Sequence, residues 1–294
     1  MFDYIEPVFR PPSEARSLIL QVTNGCSWNE CSFCEMYTGD AKKFAVTAPD
    51  KIQQQIKTAA ASGYRIDKVF LADGDAMTLS FRRLKHILML IQEHLPSVRR
   101  VSSYCLPRNL LKKTVEQLSE LRALGLSLLY VGCESGDDEI LTMINKGETF
   151  DSSVNALQKI KQAGMKSSVM ILNGMGGVKF SQQHARRSAE LVNICQPEFL
   201  STLVLSFPCG SDRYQQGFNG QFIALNQAQL FHEIRLFISL LELEKTVFRS
   251  DHASNYLVLK GTLGKDKTKL LQQIDSAIAH PDTTPLRQEW QRGL

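Results

Sequence analysis

The sequence of 294 residues lacks the features of several protein classes. No stretch approaches the roughly 18 uninterrupted apolar residues that a membrane-spanning helix needs, so we expect no membrane partner. The first twenty residues do not combine a basic region with a following apolar core, because Asp3, Glu6, Arg10, Glu14 and Arg16 interrupt them. An export signal would have that combination. The expected location is therefore the cytoplasm.

Long basic blocks are also missing. The formal net charge is only +4, from 34 basic and 30 acidic residues, whereas proteins that bind nucleic acid through its phosphates usually carry a dense basic stripe. Hydrophobic residues make up 43% and charged residues 22% of the chain, which is typical of a globular protein. The composition therefore predicts a globular protein without a nucleic-acid partner.

Cysteine is the first informative residue type that is present. The chain has seven cysteines, an odd number that argues against a disulfide framework. Three of them fall within nine residues as Cys26-x4-Cys31-x2-Cys34, and the other four are scattered. Clustered thiols in a reducing compartment are more often metal ligands or catalytic groups than structural bridges. The triad is therefore a candidate metal site.

The residues around the triad indicate which metal it would bind. Structural zinc needs four protein ligands at short spacing, but the next histidine is His86 and there is no second Cys-x2-Cys pair. Three thiolates instead suit a 4Fe–4S cluster in which the fourth iron is left without a cysteine. That iron would be open to a substrate or cofactor. Zinc remains the alternative at this point.

Apolar segments typical of strands alternate with amphipathic helical segments along the chain. The predicted strands are Leu18–Thr23, Lys68–Ala72, Arg100–Tyr104, Ser127–Gly132, Ser167–Leu172, Phe199–Ser206 and Thr246–Arg249. The predicted helices are Pro49–Ser62, Phe81–His94, Thr114–Leu124, Ser152–Ala163, Gln182–Cys195 and Gln227–Leu243, the last with Asn226 as its N-cap. This alternation predicts right-handed βαβ units and a parallel sheet.

We therefore predict an α/β fold that forms a partial or complete (β/α) barrel with parallel strands as a single domain. Residues 1–16 would be an N-terminal arm, residues 17–245 the barrel, and residues 246–294 a C-terminal strand and helical extension that closes it. Active sites of such barrels lie at the carboxyl ends of the strands. The cysteine triad follows the first predicted strand, and polar or glycine-rich segments follow the others.

The triad, with Phe33 just before its third thiol, resembles the cluster loop of the radical S-adenosylmethionine enzymes, whose commonest spacing has one residue fewer in the first gap. The runs Val131–Gly136 and Ile144–Gly147 are similar to the radical domain shared by elongator catalytic subunits, methylthiotransferases and nitrogenase-cofactor assembly proteins. The resemblance extends from about Leu18 to Ser211. Residues 248–256 and 286–289 look like the tail of a small bacterial subgroup.

The resemblance implies a reaction. Cys26, Cys31 and Cys34 would bind a 4Fe–4S cluster whose open iron binds S-adenosyl-L-methionine. One electron would cleave S-adenosylmethionine to a 5′-deoxyadenosyl radical, which abstracts hydrogen from a small organic substrate. An electron donor such as flavodoxin or ferredoxin would supply that electron.

The resemblance also implies cofactor contacts. Phe33 would flank the adenine, Gly74 and Asp75 would meet the methionyl amine, Glu134 the ribose or methionyl group, Lys146 the methionyl carboxylate, and Ile171 with Gly174–Gly177 the adenine. Simpler roles remain open for each. Phe33 would be a core residue, Asp75 a turn residue, Lys146 a solvated surface lysine, and Glu134 or Ser135 a cap of the following helix. The glycines would only permit a tight turn.

Candidate substrate residues lie in two further segments. Cys209, between Pro208 and Gly210, would donate hydrogen to a substrate radical, although a free cysteine usually behaves as a small hydrophobe. Arg249, Asp251, His252 and Asn255 would recognise carboxylate or amide groups of the substrate, or would form an Asp–Arg pair with a capping Asn. An auxiliary cluster built from Cys105, Cys133 and Cys209 is a further alternative.

Three other functions remain open. The chain could be a tRNA-modifying radical enzyme of the methylthiotransferase or elongator kind, against which the modest charge argues. It could be a non-catalytic iron–sulfur carrier or redox sensor, against which the cofactor-site positions outside the triad argue. An anaerobic porphyrinogen oxidase rests on likeness to the superfamily alone.

Overall fold

The computed structural model describes residues 3–292. Within this range the strands are β1 (Leu18–Gln21), β2 (Thr23–Asn24), β3 (Ala45–Val46), β4 (Lys68–Ala72), β5 (Arg100–Cys105), β6 (Leu126–Glu134), β7 (Lys166–Asn173), β8 (Phe199–Val204), β9 (Val247–Ser250) and β10 (Leu259–Thr262). The helices are α1 (Pro49–Ala61), α2 (Phe81–His94), α3 (Val115–Ala123), α4 (Asp138–Met143), α5 (Phe150–Gln162), α6 (Gly177–Cys195), α7 (Asp212–Gly217), α8 (Gln227–Leu240) and α9 (Lys267–Ala279).

Eight of these strands form one sheet in the order β1-β4-β5-β6-β7-β8-β9-β10. Parallel pairing joins β1 to β4, β4 to β5 and β5 to β6, and also β7 to β8 and β8 to β9. The predicted α/β fold with a parallel sheet is thus confirmed in its main feature. The last strand, β10, departs from it because it runs antiparallel to β9.

Local sequence signals explain why the helices begin where they do. The Ser80 hydroxyl accepts a hydrogen bond from the Arg83 N–H at the start of α2. Thr114 caps α3 and Asn226 caps α8, each within a capping box. The predicted N-cap at Asn226 is therefore confirmed. Gly125 and Gly164, at φ +106° and +70°, follow the ends of the helices before β6 and β7.

Two local predictions were wrong. The first predicted strand, Leu18–Thr23, is divided between β1 and β2, and β2 pairs with β3 in a separate two-stranded sheet. The predicted cap of the helix after β6 was Glu134 or Ser135. The structure instead places Asp137 at that N-cap, where its carboxylate accepts from the Ile140 N–H.

The chain divides into two compact units. One comprises Met1–Asn29, Cys34–Val131 and Asn155–Ser167, and the other comprises Glu30–Phe33, Gly132–Val154 and Ser168–Leu294, in each case within the described residues. The predicted boundaries of an arm at 1–16, a barrel at 17–245 and an extension at 246–294 remain predictions. Among residues 3–292, none of the helices is both long and apolar enough to cross a membrane.

An aromatic cluster forms part of the core of the second unit. Tyr214 and Phe218 stack with their ring centroids 5.0 Å apart, and Phe222 meets the edge of Tyr214 at 4.8 Å. Met175 and Leu172, at the end of β7, are buried against the same cluster, and Phe33 packs on it partly exposed. This packing places α7 next to the segment that follows β7.

Candidate active site

In the first unit, Asp75 holds the residue that follows Cys26. The buried Asp75 carboxylate accepts hydrogen bonds from the Ser27 backbone N–H at 2.8 Å and from the Ser27 hydroxyl, and a third from Asn109 Nδ2 at 3.1 Å. Burial raises the pKa of Asp75, and the bonds from Ser27 and Asn109 oppose that rise. Both carboxylate oxygens thus have partners within the chain, and a contact with the methionyl amine stays a prediction.

Gly74 allows the backbone after β4 to approach Cys26 closely. A Cβ at residue 74 would lie 2.9 Å from both the Cys26 Cβ and the Gly25 carbonyl oxygen, well inside an ordinary contact of 3.4–4 Å. Glycine at position 74 therefore lets this backbone pack against the segment at Cys26 more closely than any larger residue would. Burial, followed by the Asp75 carboxylate, raises the pKa of this thiol.

A buried ion pair lies next to these residues and was missed from the sequence. Lys42 Nζ is 2.8 Å from Asp73 Oδ2, and the two side chains are 2% and 0% exposed. Lys42 Nζ also donates to the Ile5 carbonyl oxygen at 2.6 Å. The pair therefore ties the segment around Ile5 and the residues after β4 to one side chain. No short-range motif marks Lys42, because its partner is 31 residues away.

In the second unit, the segment around Cys31 is fixed by backbone hydrogen bonds. The Ser32 N–H donates to the Ile144 carbonyl at 2.9 Å, just after α4. An Arg213 guanidinium nitrogen donates to the Cys31 carbonyl at 3.2 Å. Ile144, just after α4, and Arg213 in α7 thus position the segment around Cys31. The contact from Arg213 was not indicated by any spacing in the sequence.

Glu134 and Lys146 form a second buried ion pair, in the unit that contains Cys31. Lys146 Nζ is 3.0 Å from Glu134 Oε1, and the two side chains are 4% and 5% exposed. Burial by itself would lower the pKa of Lys146, but the Glu134 carboxylate together with the Cys31 and Cys133 thiols outweighs it, and the pKa is raised. The alternative of a solvated surface lysine is therefore wrong. Lys146 Nζ also lies 5.7 Å from the centre of the Phe33 ring.

Only one of the two Glu134 carboxylate oxygens has a hydrogen-bond partner among the described residues. Its Oε2 atom is buried and has no hydrogen-bond partner among the described residues. Leaving a buried carboxylate oxygen without a donor is costly, so its retention suggests a ligand group. The backbone at Glu134 has φ +65°, a conformation that is uncommon for a residue other than glycine. Such departures are found more often at functional sites than elsewhere.

His184 on α6 holds the residue after Glu134. Its Nδ1 lies 2.8 Å from the Ser135 hydroxyl, and that hydroxyl also accepts from the Asp137 N–H at 3.1 Å. Burial lowers the pKa of His184 to about 4, so this ring is neutral near pH 7. No short-range motif marks His184, because its partner is 49 residues away.

Two residues that no sequence motif indicated form hydrogen bonds with the segment after β7. Ile171 is buried in β7, as expected. The Gly174 N–H donates to Glu233 Oε1 at 2.6 Å, and the Tyr214 hydroxyl donates to the Met175 carbonyl at 2.6 Å. Gly174 has φ +88°, so the predicted turn role of this glycine is confirmed. A contact with adenine remains a prediction.

The predicted substrate residues differ in their surroundings. The Cys209 thiol is exposed. Asp251 pairs with Lys260 at 2.9 Å rather than with Arg249, and Arg249 donates to the Phe248 carbonyl at 2.8 Å. The alternative of an Asp251–Arg249 pair therefore has no support from these contacts.

Asn255 and His252 lie in the loop after β9. Asn255 is buried and donates from Nδ2 to the Thr202 carbonyl at 2.9 Å, so it anchors the loop to β8 instead of capping a helix. His252 Nδ1 lies 3.0 Å from the Ser254 hydroxyl. Arg287 donates to the carbonyls of Asp251 and His252 at 3.1 and 2.6 Å. The C-terminal segment thus fixes the backbone of this loop.

Among residues 3–292, no three His, Cys, Asp or Glu side chains are arranged so that they could hold a metal ion. The triad is therefore judged by its chemistry. Three thiols within nine residues fit a cluster, and the unpartnered Oε2 of Glu134 fits an amine- or hydroxyl-bearing cofactor. We conclude that the residues fit both groups.

Comparison with known proteins identifies the family. A model of the radical SAM superfamily matches residues 20–189, which is more than half of the chain. The protein belongs to the radical SAM superfamily. A 4Fe–4S cluster and S-adenosylmethionine are the cofactors typical of this superfamily, and the chain is a radical SAM enzyme whose substrate is not identified.

Solved structures share the fold. Coproporphyrinogen III oxidase (HemN) from Escherichia coli has a TM-score of 0.57 and 17% identity, over 76% of this chain and 53% of that one. Methylornithine synthase (PylB) has a TM-score of 0.52 and 17% identity, over 92% of this chain and 74% of that one. The radical S-adenosylmethionine methyltransferase TsrM from Kitasatospora setae has a TM-score of 0.52 and 20% identity, over 64% of this chain and 36% of that one. The mostly parallel eight-stranded sheet is that of radical SAM partial barrels.

Two curated relatives are similar over a shorter segment. They are the tRNA uridine(34) acetyltransferases of Methanocaldococcus infernus and Methanocaldococcus jannaschii, which are 24% and 23% identical over 111 residues. The match covers 36% of this chain and 20% of each relative. This chain therefore matches about a fifth of the length of either relative, and the similarity to the elongator-type proteins is distant.

Proposed function

We propose that this radical SAM enzyme abstracts hydrogen from a small organic substrate at the carboxyl ends of its parallel strands. The buried Glu134–Lys146 pair is the observation that carries the proposal. Two opposite charges are held in a desolvated site, and one carboxylate oxygen has no partner among the described residues. The methionyl group of S-adenosylmethionine presents an ammonium and a carboxylate, which match these two side chains in charge.

The proposed cluster ligands are Cys26, Cys31 and Cys34. When bound, the cluster supplies the electron that splits the sulfonium bond of S-adenosylmethionine. The chain's own part is to position the thiols, through Asp75 and Gly74 at Cys26 and through the hydrogen bonds to residues 31 and 32 at Cys31.

The remaining proposed cofactor contacts follow the family pattern. Glu134 would accept from the ammonium or ribose, and Lys146 would face the methionyl carboxylate as a point charge. Phe33, packed on the aromatic cluster, would flank the adenine, and the backbone from Ile171 to Gly174 would pass along it. Gly74 and Asp75 would border the methionyl amine. The apolar surroundings would exclude water from the reactive species.

The substrate contacts are proposed for exposed or loop residues. Cys209 would transfer a hydrogen atom from its thiol to the substrate radical, and one electron and one proton from the donor would restore the thiol. Arg249, Asp251 and His252 would bind polar groups of the substrate, with Asn255 at the buried end of the same loop. We propose a cytoplasmic location and an electron donor of the flavodoxin or ferredoxin class.

Modification of tRNA is the second candidate. The local similarity to the two tRNA uridine(34) acetyltransferases favours it. The net charge of +4 gives it little electrostatic support.

The test is release of 5′-deoxyadenosine by the anaerobically reconstituted protein with dithionite and S-adenosylmethionine. We expect release by the wild type and by Cys105→Ala, which alters a scattered buried cysteine, but not by Cys31→Ala. Faster release with total tRNA than with a pool of small metabolites would favour the second candidate. A protein that binds iron yet releases none would be a carrier, and the proposal would be rejected.

A further inference from the structure

The segment after β7 receives hydrogen bonds from two distant helices. Gly174 and Met175 are consecutive, and each has a backbone group bonded to a buried side chain. The Gly174 N–H donates to Glu233 Oε1 at 2.6 Å, and the Met175 carbonyl accepts from the Tyr214 hydroxyl at 2.6 Å. Glu233 lies on α8 and Tyr214 on α7. Both residues lie beyond residue 189, where the match to the superfamily model ends.

Both oxygens of the Glu233 carboxylate accept hydrogen bonds in this region. Its second oxygen, Oε2, accepts from the Ser181 hydroxyl at 2.7 Å, so it joins the segment after β7 to the first turns of α6. Glu233 is 2% exposed, and burial raises its pKa to about 7. Burying a carboxyl group costs free energy, and a leucine would fill a similar volume without that cost. The cost suggests that its two acceptor atoms are needed.

Tyr214 is similarly placed. Its side chain is fully buried among Phe207, Phe218 and Phe222, and its hydroxyl reaches the Met175 carbonyl. Phenylalanine would keep that packing but not the hydrogen bond. The Leu230 side chain packs on the same residue, since a Cβ at Gly174 would lie 3.3 Å from it. The backbone at residues 174 and 175 is therefore fixed from several sides before any ligand binds.

We propose that Tyr214 and Glu233 are positioning residues for the adenine of S-adenosylmethionine, which they serve by fixing the backbone of residues 174 and 175. This inference rests on the proposed function, in which that backbone passes along the adenine. Neither side chain needs to touch the cofactor. A backbone that is already fixed loses less conformational entropy when the ligand binds, and the ligand therefore binds more tightly.

The test compares Tyr214→Phe and Glu233→Leu with Glu233→Gln. Each of the first two removes one hydrogen bond to the backbone of residues 174 and 175, and Glu233→Leu also removes the bond from Ser181. Each is expected to raise the Kd of the reconstituted protein for S-adenosylmethionine by about 5- to 10-fold, the effect of one backbone bond. The maximal rate of 5′-deoxyadenosine release should stay within about twofold, so KM rises while kcat does not. Glu233→Gln keeps an acceptor for the Gly174 N–H and should restore most of the affinity.

Tyr4→Phe is the matched control, because it removes a phenol hydroxyl that bonds the Ile19 carbonyl in the first unit. It should leave the Kd unchanged. Amide hydrogen exchange of residues 173–178 in the protein without cluster or cofactor supplies a second readout, and it should be faster in Tyr214→Phe and Glu233→Leu than in Tyr4→Phe. Equal Kd values or equal exchange in the three variants would overturn the inference. Failure of the wild type to bind S-adenosylmethionine would instead reject the proposed function.

Discussion

Replacing Gly74 with alanine tests whether the close packing of this residue on Cys26 is needed to place the Cys26 thiol for a bound cluster. The new Cβ would lie 2.9 Å from the Cys26 Cβ and from the Gly25 carbonyl oxygen, where ordinary contacts are 3.4–4 Å. The two segments would have to separate by about 0.5 Å or more, whereas metal–ligand distances tolerate roughly 0.2 Å. We therefore expect Gly74→Ala to retain at most about half of the wild-type iron, since one of three thiols is displaced.

The assay is iron and sulfide per chain after anaerobic reconstitution. Gly39→Ala is the control, because Gly39 has φ −69° and a Cβ there would meet nothing within 4 Å. It should bind as much iron as the wild type. Overpacking of this kind typically costs about 1–3 kcal/mol, so a urea titration of the apoprotein should show a loss of that size for Gly74→Ala only. Wild-type iron content in Gly74→Ala would refute the argument.

The remaining predictions concern buried charges. Lys146→Met should destabilise the apoprotein by about 3–5 kcal/mol in urea, because it leaves the Glu134 carboxylate buried and unpaired, and adding Glu134→Gln should recover part of that loss. A double variant less stable than Lys146→Met alone would contradict this explanation. The pKa of His184, lowered to about 4, means that stability present above pH 6.5 falls as the pH drops towards 4, by up to about 3 kcal/mol. His184→Gln should remove that dependence. The pKa of Glu233, raised to about 7, has the opposite sign: stability present below pH 4.5 is lost as the pH rises through 7, by up to about 3 kcal/mol. Glu233→Gln should flatten that loss, and an unchanged pH profile in either variant would contradict the assignment.

Most of the regular structure could be predicted because its signals are local. The strand Lys68–Ala72 and the helix Phe81–His94 have the predicted bounds, since apolar periodicity and a serine cap lie within a few residues of each other. The strand Leu259–Thr262 was missed. Its sequence contains lysine and glycine and has little strand character of its own, and its antiparallel pairing with β9 supplies the missing stabilisation.

The candidate site could be predicted only where its residues form short sequence motifs. The triad and Glu134 lie at recognisable spacings, but the partners that decide their surroundings do not. Lys42 is 31 residues from Asp73, and Glu233 is 59 residues from Gly174. Contacts of this kind form only when distant helices and strands pack together, so sequence spacing alone does not reveal them.

Electron paramagnetic resonance of the reduced, reconstituted protein, recorded before and after S-adenosylmethionine is added, tests the central claim most directly. A 4Fe–4S cluster held by Cys26, Cys31 and Cys34 has one iron open to the cofactor. The signal should therefore shift when S-adenosylmethionine binds, and alanine at any of the three positions should abolish it. A protein that contains zinc in place of iron, or a cluster signal that S-adenosylmethionine leaves unchanged, would contradict the account.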